Sequence, residues 1–232
     1  MKTAGLIGGM SWESTVGYYQ VVNNTIKQQL GGFHSAKCII YSVDFQEIEE
    51  CQAKGNWDKS AEILSLAAQS LEKAGADFIV ICTNTMHKVA EQIQSTITIP
   101  IIHIAEVTAE ELLKNKISRV ALFGTKYTME QDFYKNKLIE KNIEVLIPND
   151  EDRQFVNDTI YNELCLGVIS PESKARFLRI ADELASNGAQ GVILGCTEIG
   201  MLINQNDTAI PLFDTTEIHA KSAAMYALAE SV

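Results

Sequence analysis

Two residues have the type and placement to move a proton. Cys196 stands in Gly195-Cys196-Thr197-Glu198 and Thr83 in Cys82-Thr83-Asn84-Thr85, each where an apolar run gives way to small polar groups. An internal repeat links them. Leu71 to Thr83 lies over Leu184 to Cys196 without a gap, so Cys82 falls on Gly195 and Thr83 on Cys196. A free thiol titrates near about 8.5. A strand-to-helix turn beside a helix amino end lowers that value, so Cys196 is expected to supply a thiolate at neutral pH. An aliphatic hydroxyl is a poor base, so Thr83 is expected to act as a donor, or through a neighbour or water. Opposed across a substrate, two such groups could remove a proton from one face of a carbon and return one on the other. That inverts the centre and needs no metal and no nucleotide.

Alternating strands and helices must position these groups. Phe78-Ile79-Val80-Ile81 reads as a buried parallel strand ending at Thr83, and Met86 to Gln94 as the helix that follows. Ala4 to Ile7 is a strand broken by Gly8-Gly9-Met10, and Glu13 to Leu30 is helical. Gly5, Gly8 and Gly9 do not form a dinucleotide fingerprint, but the turn could still aim backbone N–H groups at a carboxylate. Cys38 to Val43 is a strand, and Asp44 to Glu50 a loop or short helix. Asp58 is expected to cap a helix closed by Gly75, with Ala61, Leu64, Ala67 and Leu71 on its apolar face. Ile99 to Ile104 is a strand leading to a helix from about Val107 to Asn115, and Ser170-Pro171 starts a helix that stops at Gly188. Two further matches extend the repeat: Gly5 to Gly8 lies over Ala121 to Gly124, each followed by a helix with a tyrosine, Tyr18 or Tyr134. Ile99-Pro100-Ile101 lies over Ile210-Pro211-Leu212. The expected fold class is therefore α/β, with two similar lobes, each a parallel sheet flanked by helices. A pseudo-two-fold axis relates them, and the active site lies in the interlobe cleft.

Composition bounds the partner. With 30 Asp and Glu against 19 Lys and Arg, the net charge of -11 argues against nucleic acid or an anionic membrane surface and for a small-molecule partner. No apolar run is long enough to span a bilayer, and the start of the chain lacks a signal-like run, so a cytoplasmic location is expected. Five cysteines without a CxxC pair fit reduced thiols, and no spacing resembles a metal site.

Ile7-Gly8-Gly9-Met10-Ser11-Trp12-Glu13-Ser14-Thr15, Asn84-Thr85-Met86-His87 and Gly195-Cys196-Thr197-Glu198-Ile199 together resemble the signatures of the aspartate/glutamate racemase family, across nearly the whole chain. The resemblance implies a cofactor-independent, PLP-independent isomerase whose substrate is a small acidic amino acid. It also implies a first lobe of 1–98 plus 210–232 and a second of 99–209, with the final strand and helix returning to the first lobe. Members are often homodimers. The family pattern pairs two cysteines, one directly before Asn-Thr. Here Thr83 holds that slot, as in the L-specific aspartate/glutamate type, and Thr83 and Cys196 become the catalytic pair. Side-chain alternation turns Cys82 away as a buried thiol, unless a bulge at the strand end reverses it. Asn84, Thr85, Thr197 and the turn at Met10 are candidate carboxylate donors. The arginine and lysine that two-cysteine aspartate racemases place in the acidic loop and at a segment like Glu163 to Gly167 are absent. No arginine precedes Arg119, and Cys165 stands in the lysine's place, leaving Gln52 or Lys126 for the side-chain carboxylate.

His87 reads equally as an acid/base auxiliary or a side chain bonded within the protein, and His103 and His219 read as structural. Cys38 and Cys51 read as packing or incidental thiols. Trp12 and Tyr18 line a pocket or close the core. Two other functions fit the sequence: a one-cysteine decarboxylase or cis-trans isomerase of small dicarboxylates on the same scaffold, and a catalytically silent small-molecule binding protein.

Overall fold

A parallel strand covered by helices on both faces has to be apolar throughout, and Phe78-Ile79-Val80-Ile81 is buried at every position. The computed structural model describes residues 1–229. Its strands are β1 (Ala4–Gly8), β2 (Cys38–Ser42), β3 (Phe78–Ile81), β4 (Ile101–Ile102), β5 (Arg119–Gly124), β6 (Glu144–Leu146), β7 (Val192–Gly195) and β8 (Leu212–Asp214). The helices are α1 (Trp12–Leu30), α2 (Phe45–Ala53), α3 (Trp57–Lys73), α4 (Ala90–Gln94), α5 (Ile104–Lys114), α6 (Lys126–Glu130), α7 (Asp132–Ile139), α8 (Asp150–Asn162), α9 (Pro171–Ser186), α10 (Ile199–Leu202) and α11 (Thr215–Leu228).

Two four-stranded parallel sheets result, in the orders β2-β1-β3-β4 and β6-β5-β7-β8. Their registers agree: Ile7 is opposite Ile81 in the first, and Phe123 is opposite Leu194 in the second.

The chain divides into two compact units, Met1–Ile104 with Thr216–Val232, and Ala105–Thr215. β4 pairs with β3 and β8 with β7. The strand after residue 98 therefore belongs to the first sheet and the strand after residue 210 to the second. Of the expected returning pair, the helix alone joins the first unit.

In the first unit alternation along β3 separates two cores. Ile79 and Ile81 pack with Leu64, Ala67, Ala68 and Leu71 of α3. Phe78, Val80 and Cys82 pack on the other face with Tyr18, Val22 and Ile26 of α1 and with Ala220, Ala223, Ala224 and Ala227 of α11.

Local chemistry sets several boundaries differently from the sequence reading. Asn56, not Asp58, caps α3, its side chain accepting the Lys59 N–H at 3.2 Å. Asp58 stands in the first turn, where its charge still favours the helix amino end. The expected Met86 helix is a 3-10 turn, Thr85–Val89, followed by α4. Such turns are common at helix amino ends. α5 begins at Ile104, three residues before Val107. Ser170 and Pro171 open α9 as expected, Ser170 Oγ accepting the Ser173 N–H at 3.2 Å.

Candidate active site

In each sheet the strand order reverses between its first and third strands in sequence, β1 and β3 or β5 and β7. Ligands of open α/β sheets bind beyond the carboxyl ends of strands at such a reversal. Thr83 and Cys196 both stand there. Each lies two residues past the matched positions Ile81 and Leu194.

The first unit builds its end of the site on tight backbone turns. The last bond of β3 to β1 runs from the Cys82 N–H to the Ile7 carbonyl at 2.9 Å, and the Thr83 N–H then turns back to the Ile81 carbonyl at 2.8 Å. At the end of β1, Gly9 adopts φ 92 and donates its N–H to Thr15 Oγ1 at 2.9 Å. A β-carbon there would lie 2.2 Å from the Val43 carbonyl oxygen, so only glycine fits. Met10 follows with its side chain in the core, 3% exposed, which leaves its backbone as the candidate donor. Asn84 and Thr85 are buried at the start of the 3-10 turn. Gln52, on α2, is also buried and donates its amide to Met86 Sδ at 3.0 Å, beside that turn.

Cys82 is fully buried on the face away from Ile79 and Ile81, and burial pushes its thiol far up. His87 is bonded within the protein: Nδ1 lies 2.8 Å from the Thr83 carbonyl oxygen, and Nε2 accepts the Ile104 N–H at 3.2 Å. His103 packs edge-on against it with ring centroids 4.6 Å apart. Tyr18 is a core residue, and Trp12 is exposed.

In the second unit the chemistry centres on three consecutive residues. Cys196 and Thr197 are half-buried, and Glu198 is buried at the amino end of α10. Cys196 Sγ donates to Glu198 Oε2 at 3.0 Å, and Thr197 Oγ1 donates to the same oxygen at 2.6 Å. Burial raises the Cys196 thiol well above its ordinary value, and the charges of Glu198 and Cys165 add to the rise. This reverses the expected lowering. α10 spans four residues, and a carboxylate occupies its amino end, so the thiol meets negative charge where a helix dipole would have offered positive. Glu198 is a candidate site residue that the sequence does not single out, although its carboxylate stands two places after the thiol. Thr197, read as a substrate donor, spends its hydroxyl on Glu198. Lys126 is exposed at the start of α6, directly after the Thr125 cap that follows β5, with Nζ 5.2 Å from the centre of the Tyr127 ring.

All four arginines belong to the second unit, and each is ion-paired: Arg119 with Glu144, Arg153 with Glu130 and Asp150, Arg176 with Glu151 and Asp152, Arg179 with Asp152 and Glu183. Among the described residues no group of three or more His, Cys, Asp or Glu is arranged to hold a metal ion, and no helix is long and apolar enough to cross a membrane.

A family model described as Asp/Glu/hydantoin racemase matches residues 7–223. A solved structure of an Asp/Glu racemase candidate from Yersinia pestis is 55% identical, covers 99% of this chain and 100% of that one, and superposes with a TM-score of 0.93. An aspartate racemase homologue from Pyrococcus horikoshii OT3 is 38% identical over 99% of this chain and 100% of that one, with a TM-score of 0.84. The broad specificity amino-acid racemase RacX of Bacillus subtilis (strain 168) is 27% identical over 176 residues, 74% of each chain.

Proposed function

The chain belongs to the Asp/Glu/hydantoin racemase family, and from that premise we propose a cofactor-independent racemase of aspartate and glutamate in which Cys196 and Thr83 serve opposite faces of the substrate Cα. The bond from the Cys196 thiol to Glu198 carries the reading. The resting thiol is protonated, so a base is made by passing its proton to Glu198. The thiolate then takes the Cα proton, Thr83 passes a proton to the other face as water replaces it, and the proton held by Glu198 returns to solvent, which balances the cycle. Negative charge spreading from Cα onto the α-carboxylate calls for donors, and Asn84, Thr85 and the Met10 backbone are assigned to it. In the reverse direction water held by the Thr83 hydroxyl takes the Cα proton to solvent, Cys196 delivers its thiol proton to the other face, and a solvent proton restores the thiol by way of Glu198.

The side-chain carboxylate falls to Gln52 or Lys126. The ion pairing of every arginine favours a second reading of substrate range, in which side chains without a carboxylate are also accepted. RacX is described as broad in specificity.

A chiral assay over both enantiomers of aspartate, glutamate and a neutral set such as alanine and leucine tests both. Conversion confined to aspartate and glutamate supports the first reading, and equal conversion of the neutral set the second. Cys196→Ala is expected to cut conversion by about 10²–10⁴-fold, the usual worth of a positioned acid/base group. Undiminished conversion would remove Cys196 from the mechanism.

A further inference from the structure

Buried histidines whose ring nitrogens are all engaged are poor acids and bases, but they hold backbone firmly. His87 and His219 are 3% and 0% exposed. A carbonyl oxygen can only accept and an amide N–H only donate. The Thr83 carbonyl at Nδ1 and the Ile104 N–H at Nε2 therefore fix His87 as a neutral ring with its proton on Nδ1. His219 takes the opposite tautomer. Its Nε2–H donates to the Ile102 carbonyl at 2.8 Å, and its Nδ1 accepts the Tyr18 hydroxyl at 2.9 Å. The two rings stand 5.6 Å apart, centre to centre. Tyr18 on α1, His219 on α11, β4 and the 3-10 turn are thereby tied to the backbone of Thr83.

We propose that His87 is a positioning residue for the Thr83 half of the reaction, its Nδ1–H fixing the Thr83 carbonyl and through it the direction in which the hydroxyl leaves the end of β3. The inference rests on the racemase reading above.

Two observations make it specific to Thr83. First, the repeat, continued in the same register, places Gly200 opposite His87. A β-carbon on Gly200 would lie 2.6 Å from Asp214 Oδ2, so at the matching place the thiol-bearing unit has a carboxylate tip and no ring. Second, the chemistry differs. Cys196 has Glu198 as a proton partner, whereas the hydroxyl of Thr83 is a feeble acid and base whose usefulness depends on orientation. The bond reaches the Thr83 carbonyl, not its hydroxyl, so His87 acts on position and not on the proton.

The test compares three substitutions in D2O, following conversion between enantiomers and deuterium uptake at Cα separately. His87→Asn keeps an amide N–H near the place of Nδ1. His87→Gln keeps an acceptor near Nε2 but loses the N–H at Nδ1, and His87→Ala loses both. We expect His87→Ala and His87→Gln to lose about 10- to 100-fold in kcat for conversion, with KM nearly unchanged, and His87→Asn to recover most of it. Deuterium uptake into the enantiomer whose proton Cys196 takes should persist in all three. A merely structural role would depress both faces together.

The inference is overturned by unaltered conversion in His87→Ala, by equal loss of exchange on both faces, or by a folded His87→Asn that behaves like His87→Ala. ¹⁵N-histidine spectra of the unaltered chain provide a check independent of variant folding: a bare Nδ1 on His87 also overturns it. Absence of any conversion by the unaltered chain would overturn the racemase reading and this inference with it, whereas unaltered conversion in His87→Ala overturns this inference alone.

Discussion

Cys196 Sγ donates to Glu198 Oε2 at 3.0 Å, which makes a thiol and its own proton acceptor neighbours two residues apart. Glu198 has two opposing effects on that thiol: its charge suppresses thiolate at rest, and its oxygen receives the proton when thiolate is needed. Glu198→Gln separates them. Removing the charge lowers the Cys196 pKa, so alkylation of Cys196 by iodoacetamide at pH 7 to 8, followed on its own peptide, should accelerate. Racemisation should fall at the same time, because the amide cannot take the proton. Slower alkylation in this variant would show that the carboxylate activates the resting thiol.

Thr83→Cys places a thiol on each side of the repeat. In D2O the unaltered chain is expected to incorporate deuterium at unequal rates from the two enantiomers, since a thiol and a hydroxyl differ in acidity by several units. The variant should bring the two rates together. Persistent inequality of the same size would mean that residue 83 does not touch the proton.

Acid should weaken the first unit through His219. Burial pushes its pKa down to about 3. The unfolded chain takes a proton on this histidine below about 6.5. Between these values the unfolded state holds more protons than the native one, so the contribution to stability is complete above about 6.5 and drains away as pH falls towards 3. The full difference is on the order of 5 kcal/mol. The groups facing the ring are the Tyr18 hydroxyl, His87 and the Ile102 carbonyl, none of them a carboxylate that would favour the charged form. Urea midpoints at pH 7, 5.5 and 4.5 measure the slope. His219→Gln, which keeps a donor for Ile102, should start lower at pH 7 and lose less on acidification. An equal slope in both chains would remove His219 from the account.

Periodicity carried the sequence reading wherever burial decides structure. The apolar run of β3 and the stripe of α3 are legible because a covered sheet tolerates little else, and alternation along β3 sends Cys82 into the core with Phe78 and Val80. What escaped depends on local backbone geometry and on which of several nearby partners a side chain finds. Whether Asp58 or Asn56 caps α3 is a question of backbone geometry that composition does not rank. The Cys196 thiol is expected to be lowered because a helix amino end follows it, but a one-turn helix with a glutamate at its amino end offers the thiol negative charge instead. His87 was open between two roles because its partners, Thr83 and Ile104, are four and seventeen residues away on opposite sides. Only the folded chain shows that both of its nitrogens are occupied.

The last helix also bears on how the chain is made. β1 to β4 are complete once Ile102 has been synthesised, yet the core on one face of their sheet takes Ala220, Ala223, Ala224 and Ala227 from α11. At ordinary rates of translation that helix appears on the order of ten seconds later. Throughout that interval the nascent amino-terminal half carries an uncovered alanine-sized groove and a Tyr18 hydroxyl that lacks its His219 partner. The half-protein emerging from the ribosome thus lacks one wall of its core until the fourteen-residue α11 arrives to close it.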